Sequence, residues 1–373
     1  MGILRFYLAL CVVASHGGPI FPWQMHNGSQ AVQIFYMISG FYMAMVLSTR
    51  YSTRRDFYLS RFLRIFPPYW IVLAAIVVIS LCGGLLSHQW LALSYYVSHP
   101  FRRNGVFSVL LAAISNVTLI GQDWIMFLKQ DRGQSLQFTA NFWDDRTPLW
   151  HYLLLQQTWT LGVELTFYAC APFLNRLRSS SLACIAAATL AGRLIGYRYL
   201  GIGHDPWTYR FFPFELGLFL FGMLGYRIYA RVMRSDKLRR WQCVSWPVYL
   251  FGAIAILFLL YVHVSAVNVL GRIINPQVAD VATYPFFILV IPCLFLVFGK
   301  SPFDRLMGEL SYPIYLVYDF VIVIVARSPA LDVGVNLGRM DAMVSILVAI
   351  FIYRLVIEPI DRKRHALSRD KSV

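Results

Sequence analysis

The sequence predicts an all-α protein, a polytopic transmembrane helix bundle of about ten spanning helices with a re-entrant or interfacial segment near 107–128. Three observations carry this. Hydrophobic residues fill 58% of the 373 positions against 14% charged, and the mean hydropathy is +0.58. A soluble core has no room for so many apolar side chains, whereas helices in lipid use them on every face. Apolar runs of spanning length recur along the whole chain, and basic residues gather in alternate connectors.

Taken in order, the candidate segments are 2–18, 29–49, 66–87, 107–128, 149–174, 182–201, 211–230, 244–266, 281–299, 306–326 and 338–358. The first resembles a secretory signal core, but His16-Gly17-Gly18-Pro19 lacks a small-x-small cleavage pattern. It is expected to stay as an uncleaved first span. If all eleven segments crossed, Arg176, Arg178 and the dense basic loop (Arg231, Arg234, Lys237, Arg239, Arg240) would fall on faces opposed to the one implied by the arginine-rich connector 50–64. One segment must fail to cross. The choice falls on 107–128, which holds Asn116, Gln122 and Asp123 in the least hydrophobic third of the chain. With ten crossings and the N-terminus inside, 22 of the 33 basic residues lie on the cytosolic side. The membrane domain then covers 1–358, a short basic cytosolic tail covers 359–373, and 88–148 forms one external excursion rich in His, Trp and Tyr. No internal repeat, low-complexity tract or appended soluble domain is visible.

The net charge of +15 is accounted for by basic cytosolic loops, so nucleic-acid binding is not expected. Cys11, Cys82, Cys170, Cys184, Cys243 and Cys293 stand singly, without a C-x-x-C pair. That spacing supports neither a metal site nor a disulfide framework, and packing thiols are the simpler reading.

An ionisable group inside a bilayer costs about 2.5–3.5 kcal/mol on insertion scales, so each one in a span is a functional candidate. These are His16, Glu164, Arg193, Glu215 and Asp319, with Arg5 and Glu358 nearer the cytosolic boundary. Arg5 and His16 fall within about 20° of one another around a helix and about 16 Å apart along it. The helix covers only about 21 Å before Gly17-Gly18-Pro19 ends it, which predicts His16 in a recess beneath the outer surface. A neutral imidazole there can take a proton from an alcohol; the alternative is a hydrogen bond to a last-turn carbonyl. Glu164, midway along its segment, is expected either beside His16, fixing its tautomer, or in a salt bridge to Arg193. Arg61 and Arg64, three residues apart, would share a helical face and suit phosphate oxygens; simple anchoring at the cytosolic boundary is the alternative.

Several stretches together resemble the acyltransferase 3 family of integral-membrane, acyl-CoA-dependent O-acyltransferases. ILRFYLALCVVASHG is similar to the opening helix of the family, and QIFYMISGFYMA to its Ser-Gly-Phe segment, here Ser39-Gly40-Phe41. FYLSRFLRIFPPYW matches the R-x-x-R-I-[FY]-P stretch, WTLGVELTFYACAPF the Trp-Glu-Tyr segment, and ELSYPIYLVYD is a weaker fifth match. The resemblance implies transfer of an acyl group, commonly acetyl, from cytosolic acyl-CoA to a hydroxyl of a carbohydrate or glycolipid acceptor such as exopolysaccharide or lipopolysaccharide. It places the enzyme in a bacterial inner membrane. It also implies His16 as the base, Arg5 and Glu164 as essential partners, and Arg61 and Arg64 in the stretch associated with the CoA donor. Ser39 is a further candidate, as an oxyanion hydrogen-bond donor or a structural contact. Two departures stand out: Asp319 follows Tyr318 where relatives often carry a histidine, and Leu165 follows Glu164 where a second acidic residue is common. The main rival is a secondary transporter using the buried Glu and Arg groups, which the missing repeat disfavours. A non-catalytic scaffold would need neither a buried His nor a buried Glu.

Overall fold

The computed structural model describes residues 1–51, 53–99, 105–131, 135–234, 246–328 and 334–362. Lys237, Arg239 and Arg240 of the basic loop, Cys243, and residues 363–373 of the tail lie outside them. Helix α1 (Gly2–Gly17) runs through the middle of the bundle, with Leu4, Leu8, Cys11, Val12 and Val13 buried, and ends at Gly18 with φ 108°. Helix α2 (Gly28–Thr49) begins at a capping box in which Asn27 accepts from the Gln30 N–H and Gln30 accepts from the Asn27 N–H. Helix α3 (Arg54–Ser87) starts on a Thr53 cap and is 34 residues long, so the expected span at 66–87 is only its outer part. It includes Pro67 and Pro68 without a break in the helix.

After α3 come the short α4 (Ser94–Ser98), α5 (Val106–Thr118) and α6 (Gln122–Ile125). Then follow α7 (Trp159–Leu174), α8 (Ser179–Tyr199), α9 (Phe212–Val232) and α10 (Trp246–Ile273). The next crossing is broken into α11 (Pro276–Thr283) and α12 (Phe287–Phe298), and α13 (Pro302–Arg327) and α14 (Leu337–Ile352) close the bundle. Among the described residues, seven helices are long and apolar enough to cross a bilayer. Helices α1, α7 and α9 pack among them.

The segment 107–128 turns back instead of crossing. The Tyr69 hydroxyl donates to the Asn116 carbonyl, and Trp70 Nε1 to the Val117 carbonyl at 2.8 Å, which puts the end of α5 against the middle of α3. That point lies about 26 Å below Ser87 along α3. The chain reverses there through Leu119 (φ 60°) and Gly121 (φ 76°). The polar residues that mark the segment in the sequence are the ones that secure this turn. Asn116 donates to the Tyr152 carbonyl and accepts from the Leu154 N–H, while Gln122 donates to the Ser115 carbonyl and accepts from Thr158. Backbone that is irregular at membrane depth needs such partners, because lipid offers none. The return path forms an antiparallel hairpin, β1 (Leu128–Gln130) with β2 (Leu136–Phe138), an exception to the all-α expectation.

Two glycines allow the closest helix pair. A Cβ on Gly40 of α2 would overlap the Phe219 carbonyl of α9, and a Cβ on Gly222 of α9 would overlap the Met37 carbonyl of α2. Backbones in contact maximise dispersion where no hydrophobic effect drives association. Cys11 is buried, but Cys82, Cys184 and Cys293 are exposed on the outer faces of their helices, so the packing-thiol expectation fails for them.

Gly40→Ala or Gly222→Ala is expected to lower stability in detergent by about 3 kcal/mol, through overpacking against backbone. Gly192→Ala, at a position with open space, is expected to be neutral. Thermal unfolding of the three purified variants checks this.

Candidate active site

Helices α1, α2, α3, α7 and α13 enclose a cavity of about 430 Å³. Its wall runs from Gly2, Arg50 and Arg305, at the start of α1, the end of α2 and the start of α13, inward to Tyr36, Thr160 and Tyr315. Five arginines (Arg5, Arg50, Arg61, Arg64, Arg305) and three carboxylates (Glu164, Asp304, Glu309) line it, so the wall is basic overall. Asp304 is engaged by the Met1 amine at 2.6 Å and the Ile3 N–H at 2.9 Å. Glu309 pairs with Arg64 at 3.6 Å. Arg61 is 8% exposed, donates to Ser60 at 3.3 Å, and leaves its buried Nε without a partner among the described residues.

Deeper in the cavity, Ser39 Oγ donates to Glu164 Oε1 at 2.6 Å, and the Tyr168 hydroxyl donates to the same oxygen. Tyr168 follows Glu164 by four residues on α7, and Ser39 reaches across from α2. The adjoining Gly40 brings α2 against α9, and Phe41 packs edge-on against Tyr226, Tyr229 and Phe295. One tripeptide thus supplies a polar contact, a close approach and an aromatic anchor. Thr160, one turn before Glu164, faces the same cavity.

Of the residues singled out in the sequence, Arg5, Ser39, Arg61, Arg64 and Glu164 are brought together here, and His16 is not. His16 is exposed at the end of α1, where a recess was expected. Its Nδ1 lies 2.9 Å from the Val12 carbonyl, its ring is 5.3 Å from that of Tyr318, and Asp319 lies within its electrostatic reach. A carbonyl only accepts, so Nδ1 carries a proton, and in the neutral ring the lone pair is on Nε2. The expected pairing of His16 with Glu164 is corrected: Glu164 is held inside the cavity, and His16 stands beyond it. The reason is axial. Arg5 and His16 share one helix but lie about 16 Å apart, and the cavity wall takes in only the Arg5 end.

The alternative salt bridge from Glu164 to Arg193 is also absent. Arg193 Nη1 pairs with Glu215 at 3.0 Å, Nε donates to Tyr197 at 2.6 Å and Nη2 to the Thr208 carbonyl at 2.5 Å. Gln33 Nε2 donates to both Glu215 oxygens at 3.1 Å, and Tyr284 donates to Gln33. This satisfied network ties α8, α9 and α2 together away from the cavity, so Arg193 and Glu215 are structural. A second buried polar cluster joins Tyr7, His26 and His263. Burial, and then the facing His263, push the His26 pKa down to about 3, which keeps that loop residue neutral.

Sequence reasoning missed Tyr168, Glu309 and Tyr315. The i, i+4 spacing from Glu164 could have flagged Tyr168. Glu309 and Tyr315 both lie in ELSYPIYLVYD, the weaker fifth match, but that they meet α3 and α7 is decided only by folding. Among the described residues no group of three or more His, Cys, Asp or Glu side chains is placed to hold a metal ion.

A family model described as an acyltransferase domain matches residues 1–355. No curated protein and no solved structure matches the chain.

Arg193→Ala is expected to cost about 3–5 kcal/mol by stranding a buried carboxylate. Adding Glu215→Gln should restore most of that loss. Unfolding curves of the single and double variants check it, and no recovery in the double variant would contradict the structural assignment.

Proposed function

Since this chain belongs to the acyltransferase 3 family and is therefore a membrane acyltransferase, we propose that it carries an acyl group, acetyl by preference, from cytosolic acyl-CoA to a hydroxyl of a carbohydrate acceptor across the membrane. The observation that carries the reading is that one basic cavity collects Arg5, Ser39, Arg61, Arg64 and Glu164, while His16 stands just past its inner end with a free Nε2. A carrier pathway needs no such split between an anion-binding mouth and a distal base. In this reading the arginine-lined mouth faces the cytosol, and His16 faces the opposite compartment.

Each residue then has a task set by its surroundings. Arg61, with a buried Nε lacking a partner, is poised for phosphate oxygens of the donor nucleotide, and Arg64 joins it by exchanging Glu309 for phosphate. The inner half, past Arg5 and Ser39, would take the pantetheine arm. Glu164, fixed by Ser39 and Tyr168, orients the polar part of that path. His16 Nε2 accepts the acceptor's hydroxyl proton as the oxygen attacks the thioester carbonyl. The new C–O bond forms as the C–S bond breaks, and the proton passes from His16 to the departing thiolate or to solvent. The Val12 carbonyl keeps the imidazole in the tautomer this requires.

His16→Ala and Glu164→Gln are each expected to reduce acyl transfer by about 10²–10⁴-fold while the protein still accumulates in membranes. Transfer from labelled acetyl-CoA to surface glycan, followed by mass spectrometry, reads the loss; undiminished transfer by His16→Ala overturns the base assignment. Replacing Arg61 and Arg64 together should raise the apparent KM for acyl-CoA about tenfold or more. An unchanged KM would return both arginines to anchoring. A topology reporter inserted after residue 135 should respond from the side opposite the termini.

A further inference from the structure

The donor cavity reaches Tyr315 and stops short of the imidazole of His16. Counted along their helices, Tyr315 stands about 15 Å from Arg305 and His16 about 21 Å from Gly2, both at the mouth. Tyr315 lines the cavity, His16 does not, and Tyr318 lies between them. The Tyr315 and Tyr318 rings are 5.9 Å apart, and the Tyr318 and His16 rings 5.3 Å apart. Tyr315 and Tyr318, 9% and 3% exposed, both stand in that interval.

Tyr315 is held in this position from α7. Its hydroxyl is 2.5 Å from the Gln157 carbonyl, to which it donates, and 2.7 Å from Thr160 Oγ1. Gln157 in turn donates from Nε2 to the Leu316 carbonyl at 2.9 Å. Pro313 sits two residues before Tyr315 inside α13 and has no N–H to give the Glu309 carbonyl one turn back. Glu309 is the partner of Arg64 in the arginine-lined mouth. The pivot of α13 thus falls between the group that phosphate would displace and the ring that blocks the passage.

We propose that Tyr315, backed by Tyr318, is the partition between the donor cavity and His16. It is a positioning residue that withholds the thioester from water on the His16 side until donor and acceptor are both in place. This inference rests on the transfer proposed above. Without the partition, water entering from the His16 side attacks the thioester carbonyl: a C–O bond to water forms, the C–S bond breaks, and free acid and CoA thiol leave. With it, Tyr315 swings off Gln157 and Thr160 only when engagement of Arg64 frees Glu309 and lets α13 bend at Pro313.

The test compares wild type, Tyr315→Ala and Tyr315→Phe in sealed vesicles, reading CoA thiol released from acetyl-CoA without acceptor and acyl transfer with acceptor. Tyr315→Ala is expected to raise acceptor-independent thiol release about tenfold and to lower the ratio of transfer to hydrolysis. Tyr315→Phe keeps the ring but loses both hydroxyl bonds, so a smaller rise, about threefold, is expected. A second measurement needs no activity: Ser39→Cys, with the native cysteines replaced by serine or alanine and probed with a membrane-impermeant maleimide from the His16 side, should stay unlabelled alone and become labelled when Tyr315→Ala is added. Thiol release at the wild-type level in both variants, in vesicles where wild type transfers acyl groups, overturns the partition. So does labelling of residue 39 with Tyr315 intact. Vesicles in which wild type transfers nothing would count against the acyltransfer reading instead, and the labelling pattern would still decide the partition.

Discussion

Glu164 stands part-buried in the cavity wall, deep in a helix bundle built for lipid, and the hydrogen bonds from Ser39 and Tyr168 to its Oε1 are the constraint on which the site depends. They bind α2 to α7. Because Ser39 must reach Glu164, α2 has to present its Ser-Gly-Phe face at a set depth, and Gly40 then lets α9 settle against the other side. The cavity is the space left between α2, α7 and the arginine-bearing start of α3. Satisfying one buried polar group in this way positions three helices and opens a route along them.

The same principle sorts the remaining ionisable residues. Arg193 and Glu215 meet each other and exhaust their hydrogen-bonding capacity on Tyr197, Thr208 and Gln33, so they brace the bundle without facing the cavity. Arg61 does the opposite, burying a guanidinium with Nε unmatched beside a cavity. Groups that are satisfied hold the structure, and a buried group left unsatisfied at a cavity wall marks where a ligand belongs. His16 differs again: it is tied by one nitrogen to its own helix and open at the other.

How much of this was legible in the chain varies residue by residue. The failure of 107–128 to cross followed from Asn116, Gln122 and the balance of basic loops, and the structure shows those two side chains pinning the reversal. The gathering of Arg5, Ser39, Arg61, Arg64 and Glu164 was foreshadowed by the ordered resemblance of four segments. Spacing gave the wrong partner for Glu164, because helix periodicity reports which face a residue occupies and not which neighbouring helix arrives there. Residues 363–373 of the basic tail, named at that stage, fall outside the described residues.

By itself the sequence determined that the chain is a bundle of apolar helices, where positive charge collects along it and which ionisable residues fall inside apolar segments. Composition and periodicity act locally along each helix, so one-dimensional information suffices for them. Only the tertiary structure decided that Glu164 turns to Ser39 and not to His16, that Glu309 takes Arg64, and that Tyr318 packs against both Tyr315 and the imidazole. Those outcomes depend on the rotation and relative depth of helices from distant parts of the chain, set by contacts such as Gly40 against Phe219 that no single segment encodes.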